Sequence, residues 1–297
     1  MPATNATIGA ACALTTAFAP DGHVDAERTV GLARRAFDHG CRHVGLFGTT
    51  GEGASLDLVD RRDILEAAHA SGIPSNRLII GVSSSAVGDA AATWRLARDA
   101  GCAYVLVPPP FYYKEVSDEG LLGWYVRLIE TAGDAACPAI LYTIPSVTSV
   151  ALSVDLIGRL KTDFPDIVVA VKDSTGQRAH TQALLAAHGD LQILVGSEPD
   201  LAAMMRKGAA GAISGVANVL PESIARTVET HEDDDRISTL VAALLRHPVT
   251  PAVKALVAHV MRDPEWQRAR PPLVELAAAE AANLRGLFDD LFAAKST

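Results

Sequence analysis

The chain is 297 residues long, 49% hydrophobic and only 5% aromatic, with a formal net charge of −9. That length holds one large α/β barrel or two ordinary domains. The acidic balance, with no cluster of Lys or Arg against it, excludes nucleic acid as a partner.

The opening Met1-Pro2-Ala3-Thr4-Asn5 lacks a basic region followed by an apolar one, so no signal peptide is expected. No apolar stretch is long enough to cross a membrane. The cysteines Cys12, Cys41, Cys102 and Cys137 form no C-x-x-C pair. They read as small core residues of a reduced, cytoplasmic protein rather than as a disulfide or zinc framework.

Short apolar runs recur along the chain. They are Ala10 to Phe18, His43 to Gly48, Arg77 to Val82, Tyr104 to Pro108, Ala139 to Tyr142, Ile167 to Val171, Leu191 to Gly196 and Gly211 to Gly215. Segments with helical spacing lie between them, such as Ala26 to Asp38, Asp57 to Ala70 and Asp89 to Asp99. Eight strands alternating with helices predict a closed (β/α)8 TIM barrel. A faint echo supports it. Asp38-His39-Gly40-Cys41, Asp99-Ala100-Gly101-Cys102 and, more loosely, Arg206-Lys207-Gly208-Ala209 each place a glycine before a strand, where it supplies a left-handed helix cap.

After the eighth run the pattern changes. Pro221 to Glu229, Asp234 to Leu245, Thr250 to Val260 and Pro272 to Phe292 read as helices with no strand between them. The expected organisation is a catalytic barrel over 1–220 and a C-terminal helical extension over 221–297 packed on it. The acidic run Glu232 to Asp235 reads as a solvated helix start.

The chemistry concentrates on Ile167-Val168-Val169-Ala170-Val171-Lys172-Asp173-Ser174-Thr175-Gly176. The apolar run does not alternate, so it reads as a strand buried on both faces. A lysine in a dry site loses hydration, and its neutral amine becomes a nucleophile able to form a Schiff base with a carbonyl compound. The alternative is a strand-end lysine in solvent or paired with Asp173. Active sites of such barrels lie at the carboxyl ends of the strands. Those ends offer Thr15-Thr16, Gly48-Thr49-Thr50-Gly51-Glu52, Phe111-Tyr112-Tyr113, Tyr142, Lys172, Gly196-Ser197-Glu198 and Ser214-Gly215. The Gly-Thr-Thr-Gly turn reads as a backbone nest for a carboxylate, and a phenol facing a Schiff-base lysine can relay protons. A metal is not expected, because the nine histidines avoid these strand ends. A phosphate site on Gly196, Gly211 and Gly215 lacks supporting arginines.

These motifs resemble those of the dihydrodipicolinate synthase / N-acetylneuraminate lyase family of class I, lysine-dependent pyruvate aldolases. The carriers are Gly48-Thr49-Thr50-Gly51-Glu52, Tyr142-Thr143-Ile144-Pro145, Val171-Lys172-Asp173-Ser174-Thr175-Gly176, Val195-Gly196-Ser197 and Ala212-Ile213-Ser214-Gly215. The resemblance spans nearly the whole chain. It implies a barrel with three C-terminal helices, a homotetramer, and no metal or organic cofactor. It makes Lys172 the imine-forming residue for pyruvate or another 2-keto acid, and Tyr142 the proton relay. Thr49 and Thr50 bind the carboxylate and orient Tyr142. Tyr112, or Tyr113 beside it, reaches a neighbouring subunit's site. Gly196 and Ile213 supply backbone contacts.

Two departures bear on the substrate. Members that condense pyruvate with aspartate semialdehyde carry an arginine two residues after the proline of Tyr-x-x-Pro; here that position is Val147. Losing a charge-assisted contact costs about 1.5–3 kcal/mol. Sialic acid lyases place an Asp-Glu pair after the seventh-strand glycine; here it is Glu198-Pro199. The expected activity is therefore cleavage or formation of a C–C bond to pyruvate on a 2-keto-3-deoxy sugar acid, with Ser174, Glu198 and Ser214 touching its hydroxyls. The alternatives are a 4-hydroxy-tetrahydrodipicolinate synthase and a 2-keto acid dehydratase or hydratase-aldolase. A barrel that merely binds a 2-keto acid would be marked by loss of the lysine or the tyrosine, and both stand.

Overall fold

The computed structural model describes residues 7–133 and 137–292; the opening pentapeptide lies outside them. Eight strands pair in sequence order and close into a parallel barrel, with β8 on β1. They are β1 (Gly9–Ala13), β2 (His43–Leu46), β3 (Leu78–Gly81), β4 (Tyr104–Val107), β5 (Ala139–Thr143), β6 (Val168–Asp173), β7 (Gln192–Val195) and β8 (Gly211–Ser214). Parallel neighbours require a crossover, and helices supply it. Before β8 these are α1 (Ala26–Asp38), α2 (Leu58–Ala70), α3 (Val87–Asp99), α4 (Asp118–Ala132), α5 (Pro145–Thr148), α6 (Val154–Asp163), α7 (Arg178–Ala187) and α8 (Leu201–Met205). After it come α9 (Pro221–Thr230), α10 (Asp235–Leu244), α11 (Val249–Val260) and α12 (Ala278–Phe292). The expected TIM barrel is the fold observed.

The non-alternating strands are buried on both faces, as parallel strands in a barrel must be. Ala11, Ile79, Leu106, Ile140, Leu194 and Ile213 fill the barrel interior, while Cys12, Val44, Val105, Leu141 and Val171 face the helices. The glycines before β2, β4 and β8 take the left-handed conformation, with φ of 95° at Gly40, 72° at Gly101 and 100° at Gly208.

The β5–β6 ladder carries one irregularity. Ala139 pairs with Val168, but the next partner of Ile140 is Ala170. Val169 is the extra residue of a bulge, and both Val169 and Ala170 contact the interior cluster. Beyond it, Tyr142 is the register partner of Lys172.

The first strand and the last helix depart most from their expected spans. The first strand ends at Ala13, because Asn218 takes over the backbone beyond it. Its amide donates to the Ala13 carbonyl at 2.8 Å and its carbonyl oxygen accepts from Thr15 N–H at 3.0 Å. The last helix starts at Ala278, not Pro272. Pro271 and Pro272 donate no N–H, and Leu273 N–H turns back to the Arg270 carbonyl at 3.1 Å. Arg270 itself is held by Asp60 and Glu52. The helix α9 packs on β1 and β8, which leaves α10–α12 as the helices added beyond the barrel. They bury their apolar faces in the same core as the barrel helices. No helix among the described residues is long and apolar enough to cross a membrane.

Candidate active site

Lys172 is the last residue but one of β6, with its side chain in the barrel, and only 6% of its surface is exposed. Its Nζ lies 4.2 Å from the centroid of the Tyr142 ring. The two meet because they are register partners on adjacent parallel strands, whose partnered side chains share a face. No ion pair engages Nζ among the described residues.

Asp173 is turned the opposite way. Its carboxylate accepts from the Thr175 N–H at 2.9 Å and from the Thr181 hydroxyl at 2.7 Å, and meets His180 Nδ1 at 3.1 Å. Burial opposes its ionisation, but the hydrogen bonds from His180, Thr175 and Thr181 outweigh it and hold its pKa below the ordinary value. The same contact raises the pKa of His180, against its burial. Asp173 is therefore committed to α7, and the strand-end Lys172–Asp173 pair does not form.

The Gly48–Glu52 turn sits at the mouth. Glu52 N–H bonds the Thr49 carbonyl at 3.1 Å and Gly53 N–H the Gly48 carbonyl at 3.0 Å. The Thr16 hydroxyl donates to the Gly51 carbonyl at 2.7 Å. Thr15 is buried, and its hydroxyl has no hydrogen-bond partner among the described residues. Among those residues, the Thr50 and Gly51 amides donate to no protein acceptor. Glycine is required because a Cβ on Gly53 would lie 1.7 Å from the Phe47 carbonyl oxygen, and one on Gly51 2.8 Å from that of Leu14. Arg61 braces the turn from below, donating to the Gly53 carbonyl at 2.7 Å and the Gly81 carbonyl at 3.0 Å. Burial brings its pKa down to about 10.

A deeper support was not anticipated. Glu52 and Lys254 form an ion pair with both side chains wholly excluded from solvent. The second carboxylate oxygen of Glu52 accepts from Arg270 N–H at 2.8 Å. Lys254 Nζ also lies 4.3 Å from the Phe18 ring centroid. Burial lowers the Lys254 pKa, and Glu52 works against that. One turn earlier on α11, the Thr250 hydroxyl reaches the Thr49 carbonyl at 3.3 Å. The signal was a lone lysine in the apolar Pro251-Ala252-Val253-Lys254-Ala255-Leu256-Val257, a residue rarely buried without a partner.

Thr49, Thr50, Tyr142, Lys172, Ser174, Gly196, Glu198 and Ile213 all line one cavity of about 190 Å³ at this end of the barrel. Gly196 is a glycine because Ser174 stands beside it; a Cβ there would fall 1.9 Å from the Ser174 hydroxyl. Ser214 is not among the lining residues. It is 1% exposed, donates to Glu198 Oε1 at 2.7 Å and accepts from Ala217 N–H at 3.2 Å. Its place is behind Glu198, orienting the carboxylate. Tyr112 does not line this cavity either; it and Tyr113 stand 74% and 73% exposed. Beside Ile144, Ser146, Val147, Gly215 and Val216, the rest of the wall comes from α10, its C-cap Leu245 and α11, through Val241, Leu244, Val249, Thr250 and Val253. Nothing local in the sequence linked those helix residues to the strand ends. No group of three or more His, Cys, Asp or Glu side chains among the described residues is placed to hold a metal ion.

Comparison with known proteins agrees with this geometry. Residues 6–289 match the model of the dihydrodipicolinate synthetase family. An uncharacterized DapA-like lyase of Chloroflexus aurantiacus is 32% identical over 295 residues, covering 96% of this chain and 97% of its own. The 4-hydroxy-tetrahydrodipicolinate synthase of Persephonella marina is 32% identical over 218 residues, covering 73% and 72%. The crystal structure of dihydrodipicolinate synthase from Agrobacterium tumefaciens superposes with a TM-score of 0.94 at 46% identity, covering 96% of this chain and 99% of that one. The chain belongs to the dihydrodipicolinate synthetase family of lyases.

Proposed function

We propose that this lyase makes or breaks a C–C bond to pyruvate through a Schiff base on Lys172. The observation that carries the reading is a buried lysine with no ion pair among the described residues, set 4.2 Å from a tyrosine ring. In the cleavage direction, the neutral amine attacks C2 of a 4-hydroxy-2-keto acid, and Tyr142 gives up its phenol proton as water leaves, so that a protonated imine stands beside a phenolate. The C3–C4 bond breaks, its electron pair moving into the imine to form an enamine. The C4 hydroxyl proton passes to Tyr142 and the aldehyde departs. The enamine takes that proton from Tyr142 at C3, and water then releases pyruvate and the free amine and returns a proton to the phenolate. Thr49 and Thr50, with the Thr50 and Gly51 amides, receive the carboxylate.

The substrate class in this reading is a 2-keto-3-deoxy acid. Ser174 and Glu198 line the cavity and face its hydroxyls; the third expected contact, Ser214, is spent on Glu198. The enzyme works in the cytoplasm as a homotetramer, and the exposed Tyr112 and Tyr113 fit a role at a neighbouring subunit. A 4-hydroxy-tetrahydrodipicolinate synthase is the second reading, favoured by the names of several relatives. Val147 at the mouth, without charge or donor, weighs against it.

Borohydride reduction in the presence of pyruvate tests the chemistry. The expected result is a single reduced adduct that maps to Lys172. A folded protein with no adduct, or with the adduct elsewhere, would overturn the assignment.

A further inference from the structure

The turn that carries Thr49 and Thr50 is closed by a nested pair of backbone bonds. Gly53 N–H returns to the Gly48 carbonyl and, inside it, Glu52 N–H returns to the Thr49 carbonyl. This six-to-one over five-to-two pattern is a Schellman closure, which requires a left-handed residue at its fifth position. Glu52 stands there, with φ of 55° and ψ of 33°. Glycine is the usual occupant of that position. Glycines do stand at 48, 51 and 53, but none of them has a positive φ. Gly51 and Gly53 are used for close approach, and the left-handed conformation falls on a glutamate that is 4% exposed.

A residue with a Cβ leaves that conformation unless its surroundings forbid it. Here the carboxylate forbids it. One oxygen is held by Lys254 on α11, and the other accepts from Arg270 N–H, in the segment after α11, at 2.8 Å. Arg270 is itself fixed. Its guanidinium donates to the Gly22 carbonyl at 2.8 Å, to the Ser55 carbonyl at 2.9 Å and to Asp60 at 3.2 Å. Held from two sides, the Glu52 side chain cannot follow a flip of its own backbone. Glu52 does not line the cavity, whereas Thr49 and Thr50, three and two residues before it, do.

We infer that Glu52 is a positioning residue for the carboxylate-binding turn: its clamped side chain locks a left-handed backbone that keeps Thr49 and Thr50 aimed into the cavity before substrate arrives. This rests on the Schiff-base reading above, in which that turn receives the carboxylate of pyruvate. The side chain does here what the freedom of glycine does in other closures. A turn released from the clamp samples other shapes, and binding weakens by the fraction of time the productive shape is lost.

The experiment separates backbone shape from charge in a Lys254→Met background, which leaves no buried ammonium unpaired. Glu52→Gly, Glu52→Asn and Glu52→Ala each remove the carboxylate. Glycine adopts the left-handed conformation freely, asparagine tolerates it and alanine resists it. Borohydride trapping is followed against pyruvate concentration. The alanine variant should need about five- to thirtyfold more pyruvate for half-saturation than the glycine variant. Asparagine should fall between them, and the trapping rate at saturation should be the same in all three. Loss of the ion pair alone would move the three variants alike. Urea midpoints taken alongside show which variants are folded, and if alanine is not, asparagine against glycine carries the comparison. Equal half-saturation across the folded variants, or a loss of rate with no shift in half-saturation, overturns the inference while a Lys172 adduct leaves the imine chemistry standing. Absence of the adduct in the wild type overturns both.

Discussion

Lys254, midway along α11, holds the carboxylate of Glu52 across the boundary between the added helices and the barrel, 202 residues apart in sequence. The C-terminal helices are therefore tied by a buried charge to the turn that carries Thr49 and Thr50. Removing one partner strands the other without solvent. Lys254→Met should lower the unfolding free energy by about 3–5 kcal/mol, and Glu52→Gln/Lys254→Met should recover most of that. Urea denaturation of wild type, both single variants and the double variant measures the coupling. Additive losses would show that the pair is not the support we describe. Lys254→Met should also raise KM for pyruvate, since Thr250 on the same helix holds the Thr49 carbonyl.

Tyr142→Phe keeps the ring against Lys172 and removes only the phenol. Turnover should fall about 10²–10⁴-fold, while borohydride still traps pyruvate on Lys172. A loss below tenfold in single-turnover cleavage would take Tyr142 out of proton transfer.

The Asp173–His180 contact gives stability a pH signature. The His180 pKa is raised in the fold above its ordinary value of 6.5, so its contribution is complete below that value and is lost as pH rises through the folded pKa. Asp173 has a depressed pKa, so its contribution is present above the ordinary carboxylate value and is lost as pH falls through the folded one. Unfolding midpoints across pH, wild type minus His180→Gln, should therefore decline on the alkaline side of pH 6.5. A flat difference profile there would contradict the assignment.

Val147→Arg places a bidentate donor at the mouth. Condensation with aspartate semialdehyde should improve by roughly tenfold or more in kcat/KM, the equivalent of a charge-assisted contact. Steady-state kinetics with that aldehyde decide it, and no gain would mean that this wall cannot present the arginine to the substrate.

Much of this was legible in the sequence because barrels repeat simple chemistry. Eight apolar runs, the pre-strand glycines and the polar residues after each run all report locally on backbone geometry. The groups from Thr49 to Ile213 converge because strand ends converge. What was not legible is contact between distant elements. Leu245 and Val249 look like ordinary loop and helix residues until α10 and α11 fold over the barrel mouth. Ser214 follows Ile213, which faces the barrel interior, and only the position of Glu198 shows where its hydroxyl is used. Pro272 looked like a helix start because first-turn proline is common, whereas the anchoring of Arg270 diverts the chain there.

The bulge at Val169 has a thermodynamic consequence for folding. In an unbroken ladder, Tyr142 would fall opposite Val171 and Lys172 opposite Thr143, with the lysine turned toward the helices. That slipped arrangement would sink an ammonium into the hydrocarbon layer that now holds Val171 and Leu141, and would pull Asp173 away from His180 and Thr181. Each misplaced ion costs several kcal/mol. The adjacent Lys172 and Asp173, opposite in charge and facing opposite ways, thus act as a proofreading pair for strand alignment, rejecting the one-residue slip that an apolar strand alone would tolerate.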